Sequence, residues 1–393
     1  MKKCFFGAIA VLALASCSNE KVVELSQDQE IKFTVEAGKA TSRAHDGYCN
    51  NVKPGDFQVW ASAQGKNYFN ALGEKYTLQD GVYKPENGTL RYWPESGTVN
   101  FFATKNENGT STWAFTNPSS LKFTGYTVQA TPAAQLDFIY AAKLNVEKTS
   151  SAVELNFRHA LSQIEFKAQN NNNKIYVEID EVSVVNVNSK GNITITKDTS
   201  TKFQDHNLGD AADDNDTRGD NRCEWSDQSV PATYTASFTA VPVGSSATSL
   251  TVTDASGEYN TNTMYLLPQT LTAWDKTKPA KHQDAENTGS YFLVKALIYN
   301  VAGESVDKTN DVVVWGTAPS GEKTSWTTKE IAIPVPASTT WEDGKRYVYT
   351  FVFTKTGNGG YDPDNNKPVL TPITLQVDVD DFVDTKNKDV EMK

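Results

Sequence analysis

Hydrophobic residues alternate with polar residues over short stretches along most of this chain. The stretch Ile-Lys-Phe-Thr-Val places Ile31, Phe33 and Val35 on one face. The same period of two recurs at residues 153–157 and 373–379. This alternation, in β-branched and aromatic residues, is typical of half-buried strands. The pattern therefore predicts an all-β protein.

Turn-forming residues separate these stretches at short intervals. No amphipathic helix longer than two or three turns is predicted, and many short strands with frequent turns favour antiparallel β-sandwiches. The turn signals are Pro54-Gly55, Asn87-Gly88, Asn108-Gly109, Lys190-Gly191, Ser256-Gly257 and Asp343-Gly344.

The length of the chain, 393 residues, favours two domains. A polar run, Asn170–Asn173, lies between two strand-rich halves. We therefore predict one β-sandwich over residues 30–170 and a second over residues 174–393. Residues 17–29 are polar and predict a flexible tether, and the Asp- and Asn-rich stretch 204–228 predicts an exposed loop.

Residues 1–16 have the features of a targeting segment. Lys2 and Lys3 precede a short apolar stretch, and small residues then lead to Cys17. The pattern resembles a bacterial lipoprotein signal, in which Cys17 receives lipid and the preceding residues are removed. Several acyl chains on one cysteine, palmitate among them, would anchor the protein stably outside the cytoplasm. An ordinary secretory signal with a chance cysteine is the alternative.

The charge of the chain argues against a nucleic-acid partner. The net charge of the whole chain is −11, and it becomes −13 when Lys2 and Lys3 are removed with the signal. Phosphate binding requires a basic surface. Only Cys49 and Cys223 remain besides Cys17, so burial of a core rather than a disulfide framework must hold the fold.

The sequence predicts no catalytic site, no metal site and no cofactor. Its four histidines stand in no zinc-binding arrangement, and it has neither a nucleophile elbow nor a phosphate-binding loop. His159 lies in an apolar stretch and is predicted to be structural. Two oxygen-rich loops, 214–219 and 362–366, partly match calcium loops but lack the terminal acid that calcium requires.

Four longer strings and the lipoprotein signal together resemble the fimbrillin family of Bacteroidetes lipoproteins, the subunits of type V surface pili. The strings are YWPESGTVNFFAT at 92–104, VELNFRHALSQIEFKA at 153–168, MYLLPQTLTAW at 264–274, and the region 344–382 with GKRYVYTFVF and LTPITLQVDVDDF.

The resemblance implies two tandem transthyretin-like antiparallel β-sandwich domains and a location at the cell outer membrane and in a fimbrium. It also implies a mode of assembly. An arginine-specific protease removes the lipid together with the first strand, and a strand of another fimbrillin subunit fills the groove. Cleavage between Arg43 and Ala44 would fit, because it would free the strand 30–36 from the first domain. Arg43 as a merely exposed linker residue is the alternative.

Two functions are consistent with these features of the sequence. The first is a structural and adhesive fimbrial subunit that exchanges strands, with host or bacterial surface ligands as further partners. The alternative is a monomeric, lipid-anchored glycan-binding module that uses exposed tryptophans. The stretch 373–379 is either the donor strand or an ordinary strand of the second domain. The candidate sugar-stacking residues are Trp274, Trp315, Trp326 and Trp341.

Overall fold

A computed structural model describes most of the chain, and it confirms the all-β prediction. Apart from the 3-10 turn Pro132–Ala134, every regular element among the described residues is a strand. No helix in this part of the chain is long and apolar enough to cross a membrane. The described ranges are 29–35, 54–105, 113–199, 223–250, 262–281, 289–321, 325–355, 360–369 and 373–381.

The strands are numbered in chain order. They are β1 (Phe33–Val35), β2 (Asp56–Ala63), β3 (Lys66–Asn67), β4 (Glu74–Gln79), β5 (Val82–Pro85), β6 (Val99–Lys105), β7 (Trp113–Asn117), β8 (Ser120–Thr127), β9 (Ile139–Val146), β10 (Val153–Leu155), β11 (Arg158–His159), β12 (Ser162–Asn170), β13 (Ile175–Ile195), β14 (Cys223–Pro242), β15 (Thr248–Ser249), β16 (Met264–Leu266), β17 (Tyr291–Asn300), β18 (Val312–Trp315), β19 (Lys329–Pro334), β20 (Lys345–Phe353) and β21 (Ile373–Asp381).

The first sheet has nine strands in the order β10-β1-β5-β4-β2-β6-β9-β11, with β3 paired to β2. Its central strand β6 is buried on both faces. Phe101 and Ala103 face one apolar cluster, whereas Phe102 faces another. Burial on both faces explains why this strand appears in the sequence as a continuous apolar run rather than an alternation.

One of these clusters, here called the first-sheet core, is built by the nine-stranded sheet and its own connections. Because its members come from β1, β2, β4, β5, β6, β9 and β10, the sheet must curve around them. The cluster comprises Ile31, Phe33, Val35, Phe57, Val59, Ala61, Ala63, Phe69, Tyr76, Tyr83, Trp93, Val99, Phe101, Ala103, Ile139, Ala141, Val153, Leu155 and Phe157.

The second sheet has seven strands in the order β18-β17-β13-β8-β7, with β14 on β13 and β19 on β17. Its longest strand, β13, pairs with β17 over Ile175–Val185 and with β8 over Lys190–Ile195. A five-stranded sheet, β15-β12-β20-β21 with β16 on β12, packs against it. The Phe166 and Phe292 rings meet between these two sheets at 6.0 Å.

Residue 170 does not separate the sheets. The strand β12 ends there and was predicted to close the first sandwich, but it pairs along its length with β20. Likewise β7 and β8, which precede residue 170 in the chain, belong to the same sheet as β13, which follows it. Strands from both sides of Asn170–Asn173 therefore belong to the same sheets, because the backbone of β12 forms its hydrogen bonds with strands from the C-terminal half. The ranges 30–170 and 174–393 as separately folding units stay a prediction.

The predicted loop 204–228 is wrong at its C-terminal end. Cys223–Gln228 begins β14 and pairs with the end of β13, where Ile195 lies opposite Cys223. Cys223 is buried, and the Trp225 indole donates a hydrogen bond to the Ala160 carbonyl at 2.9 Å. Two inward-facing apolar residues at a spacing of two therefore outweigh the polar residues around them.

Candidate functional site

The short strand β1 lies inside the first sheet, between β5 and β10. Phe33 is antiparallel to Tyr83 on one side and parallel to Val153 on the other. The Val153 amide donates a hydrogen bond to the Lys32 carbonyl at 2.7 Å. Removal of β1 would therefore leave two strands facing each other across a gap one strand wide, about 10 Å at ordinary strand spacing.

The residues before β1 are held by a connection rather than by a strand. The Ile31 amide donates to the Arg91 carbonyl at 2.7 Å, and the Trp93 amide donates to the Gln29 carbonyl at 2.9 Å. A β-bridge joins Glu30 and Tyr92 between them. We call Arg91–Trp93 the bridging segment.

The side chains of β1 follow the alternation seen in the sequence. Ile31, Phe33 and Val35 are 2%, 2% and 4% exposed, whereas Lys32 and Thr34 face solvent. The prediction that these three apolar side chains face a core is confirmed.

Phe33 is at the centre of an aromatic cluster in the first-sheet core. Its ring centroid lies 4.9 Å from that of Tyr76 and 5.3 Å from that of Phe101, both edge-on. The rings of Phe69 and Phe57 follow at 6.4 and 6.5 Å. Each such pair contributes about 0.5–1.5 kcal/mol beyond burial. Without β1, these rings would line an apolar groove.

An ion pair with a buried carboxylate and a partly exposed arginine borders this groove. Glu74, the first residue of β4, accepts hydrogen bonds from the Arg91 Nε at 3.0 Å, from the Arg91 Nη2 and from the Asn70 amide at 3.1 Å. The hydrogen bond to Glu74 raises the pKa of the Arg91 guanidinium. Nearby, burial raises the pKa of the Tyr76 hydroxyl well above its ordinary value.

A tight turn brings Glu74 to this position. The Gly73 amide donates to the Asn70 carbonyl at 2.9 Å, and Gly73 has φ +81°. A Cβ at Gly73 would lie 2.6 Å from the Trp60 ring. Both the backbone conformation and the space therefore require glycine here.

The C-terminal strand β21 differs from β1 in almost every respect. It is an edge strand that pairs only with β20 among the described residues, from Ile373 opposite Phe353 onward. Ile373 is buried, but Val377 and Val379 are 36% and 55% exposed. Its apolar face is therefore uncovered toward the C-terminal end.

A second cluster of buried polar groups lies where the three sheets meet. The Cys223 thiol donates to the Asp343 carboxylate at 3.6 Å, next to Tyr140. Burial raises the pKa of Asp343 to about 6 and raises the pKa of Cys223 and of Tyr140. His159 is buried close to this junction, with Nδ1 2.8 Å from Asp137, in the structural role predicted for it.

The calcium-like loop at 362–366 is occupied by protein cations. The Lys329 ammonium lies 2.7 Å from an Asp362 oxygen, and Lys281 lies 3.7 Å from Asp364. Within the described ranges, no group of three or more His, Cys, Asp or Glu side chains is placed to hold a metal ion. The other calcium-like loop, 214–219, lies outside the described residues.

The residues predicted for lipidation and cleavage, Cys17, Arg43 and Ala44, also lie outside the described residues. Glu74 and Arg91 are 17 positions apart and match no motif, so the sequence did not predict their pairing. The only signal was the position of Glu74, two residues before Tyr76, which places both side chains on the same face of the strand.

A family model described as fimbrillin-like matches residues 42–373. The chain belongs to the fimbrillin-like family. The match confirms the resemblance found in the sequence, and it begins after β1. No curated protein matches the sequence.

The chain is also similar to solved structures. A fimbrial protein from Bacteroides vulgatus ATCC 8482 is 15% identical, with 90% of this chain and 99% of that chain covered and a TM-score of 0.51. A putative cell adhesion protein from Parabacteroides distasonis ATCC 8503 is 9% identical, with 90% and 98% covered and a TM-score of 0.43. A fimbrilin from Porphyromonas gingivalis W83 is 10% identical, with 91% and 98% covered and a TM-score of 0.41. The Bacteroides vulgatus structure shows the shared fold of this fimbrillin-like chain.

Proposed function

We propose that this chain is a structural and adhesive subunit of a surface fimbrium that assembles by strand exchange. It is exported as a lipoprotein through Cys17 and held at the outer membrane, and cleavage between Arg43 and Ala44 then releases β1. The observation that carries the proposal is the place of β1, a buried strand of three residues inserted between two others.

The position of Arg43 supports this scheme. It follows Val35 by eight residues, in a stretch of small and polar residues that favours protease access. After cleavage, only non-covalent contacts would hold β1. The backbone groups and the apolar groove that β1 leaves are the two features that an added strand satisfies.

The burial of β1 gives the exchange a driving force. Three buried apolar side chains contribute roughly 5–9 kcal/mol, at about 1.5–3 kcal/mol each. This is comparable to the entire stability of an ordinary domain, about 5–15 kcal/mol. A subunit without β1 is thus strongly destabilised until another strand enters, which favours polymerisation over a free monomer.

The strand β21 is the donor candidate that the described residues offer. Leu375, Val377 and Val379 repeat the spacing of the three apolar side chains of β1. The exposure of Val377 and Val379 shows that this face is not fully used within the subunit. In this structure, however, β21 is an ordinary edge strand of the five-stranded sheet, so donation requires it to leave β20.

The glycan-binding alternative has less support. Trp274 and Trp341 are buried, so they offer no stacking surface. Trp315 is half-buried beneath the Lys329 ammonium, which lies 4.2 Å from its ring, and only Trp326 is exposed. The four tryptophans therefore do not form the exposed aromatic cluster that this alternative requires.

The proposal is tested by brief treatment of the full chain and of an Arg43→Ala variant with an arginine-specific protease, which leaves Lys39 in the same linker uncut. Subunit size is followed by gel filtration and by unheated denaturing gels. We expect fragments that begin at Ala44 to form ladders, while the variant stays monomeric. A parent chain that is cut at Arg43 and stays monomeric would contradict strand exchange.

Lipid anchoring is tested separately. Replacement of Cys17 by Ala should leave the chain unprocessed or release it from membranes. A Cys17→Ala chain that is processed and sediments with membranes like the parent would show that the signal is not a lipoprotein signal.

A further inference from the structure

The bridging segment, Arg91–Trp93, forms one wall of the groove at the N-terminal end of β1. Apart from the single bridge to Glu30, it belongs to no strand, yet its backbone pairs with residues 29–31. If those residues leave, the Arg91 carbonyl and the Trp93 amide lose their partners. Other contacts must then keep the bridging segment in place.

Side chains hold the bridging segment against the body of the sheet. Arg91 binds Glu74, the Tyr68 hydroxyl donates to the Tyr92 carbonyl at 2.6 Å, and the buried Trp93 ring lies edge-on 5.8 Å from Phe101. None of these contacts involves β1. They therefore persist when β1 is removed.

The ion pair is the directional part of this attachment. The Glu74 side chain is 4% exposed and the Arg91 side chain 34%, so the carboxylate is the buried partner, and the paired nitrogens of Arg91 fix the guanidinium plane. The guanidinium carbon also lies 5.6 Å from the centre of the Phe69 ring, which lines the groove. The pair thus links the bridging segment to the groove itself.

We infer that Glu74 and Arg91 are positioning residues for strand exchange. They hold the bridging segment extended, with the Arg91 carbonyl and the Trp93 amide available to the backbone of a strand from a second copy of this chain. A wall fixed in advance removes the cost of ordering it during binding. The inference rests on the proposed function and adds the place where the entering strand is aligned.

A purely stabilising role for the pair would have different consequences. Replacing both members of a buried ion pair by neutral side chains is often neutral for stability, because desolvation offsets the attraction. Stability of the intact chain therefore does not distinguish the two roles, whereas the rate of strand uptake does.

The experiment uses the full chain, cut after Arg43, separated from its released N-terminal fragment and mixed with an excess of a fluorescent peptide of residues 29–36. Uptake is followed by fluorescence anisotropy. The test variant is the double change Glu74→Gln with Arg91→Gln, which leaves no unpaired buried charge. We expect it to take up the peptide about tenfold more slowly than the parent, equivalent to about 1.4 kcal/mol.

A matched control lies one residue away on β4. Lys75 and Glu86 form an ion pair at 2.8 Å, but their side chains are 39% and 56% exposed. The change Lys75→Gln with Glu86→Gln should leave the uptake rate within about twofold of the parent, because an exposed pair contributes little.

The outcomes separate this inference from the proposed function. If the Glu74→Gln, Arg91→Gln chain takes up the peptide at the parental rate, the positioning role is wrong and strand exchange stands. If the parent itself takes up no peptide, both are wrong. Should the double variant fail to fold, Arg91→Lys keeps the charge and loses the paired hydrogen bonds. Slower uptake by that variant supports the inference, and parental uptake overturns it.

Discussion

The strands β1 and β21 carry the same alternation but occupy opposite kinds of position. β1 has three residues, two neighbouring strands and a fully buried apolar face. β21 has nine residues, one neighbouring strand and an apolar face that is exposed at Val377 and Val379. The first is held mainly by its side chains and the second mainly by its backbone ladder.

This difference separates two properties of a strand, namely how completely its side chains are buried and how easily it can be released. Of these two strands, the one that the proposed mechanism removes has the more completely buried apolar side chains. Cleavage at Arg43 would thus make release of β1 possible without making it favourable, and a replacement strand must supply equivalent burial. The strand β21 is available because its own burial within the subunit is incomplete.

The largest expected effect comes from the centre of the groove. Phe33→Ala should lower the free energy of unfolding by about 3–5 kcal/mol, because it leaves a cavity among four aromatic rings. The matched change in β21, Val379→Ala, should stay within about 0.5 kcal/mol. Urea unfolding of both variants measures the two values, and equal losses would remove the contrast between the strands.

The second effect concerns the buried carboxyl group of Asp343, at the junction of the three sheets. Burial raises the pKa of Asp343 to about 6 in the folded state, above the ordinary value of 3.8 for an aspartate. Its contribution is therefore fully present below pH ~4 and is lost as pH rises through 6. The loss is about 3 kcal/mol at 1.36 kcal/mol per pKa unit.

Urea unfolding between pH 4 and pH 7 measures this slope. Asp343→Asn should remove it, whereas Asp378→Asn, on the exposed face of β21, should leave it unchanged. If the parent and Asp343→Asn share the same slope, the junction does not carry this pH dependence.

The third effect concerns the turn that places Glu74 beside the groove. Gly73→Ala should cost about 2–3 kcal/mol, since it combines a positive φ with a clash against Trp60. Gly81 and Gly88 also have positive φ, but nothing lies within 4 Å of an added Cβ. Gly81→Ala should therefore cost only about 1 kcal/mol. Thermal unfolding that shows equal losses would contradict the close packing at Gly73.

The smallest effect on stability is expected in β21. The double change Val377→Thr with Val379→Thr should alter the free energy of unfolding by less than about 1 kcal/mol, because both side chains are already exposed. The same change should strongly reduce the ladders formed after cleavage. Ladders of parental yield would exclude β21 as the donor strand.

The sequence predicted the all-β class and the inward face of β1, because period-two alternation reports directly on which side chains are buried. It did not predict that β12 would join the C-terminal sheet. Asn170–Asn173 marks a turn, but strand pairing depends on contacts between residues 163–170 and 346–353. Contacts at that distance leave no local signal.

The same limit applies to the site. Lys-Ala-Thr-Ser before Arg43 predicts an accessible linker from local composition alone. The pairing of Glu74 with Arg91 depends on a turn at Gly73 and on the course of the following hairpin, so neither residue is distinctive in the sequence. The accessible linker therefore stays a prediction from local composition, whereas residues that meet across the sheet leave no local signal to predict from.

The central claim is that another strand takes the place of β1, and the Val153 amide reports on it directly. In the intact subunit this amide is bonded to the Lys32 carbonyl. Hydrogen exchange at Val153 should be slow before cleavage, fast in cut subunits that have lost residues 17–43, and slow again in the ladders. Protection that stays unchanged through cleavage and assembly would contradict the replacement of β1.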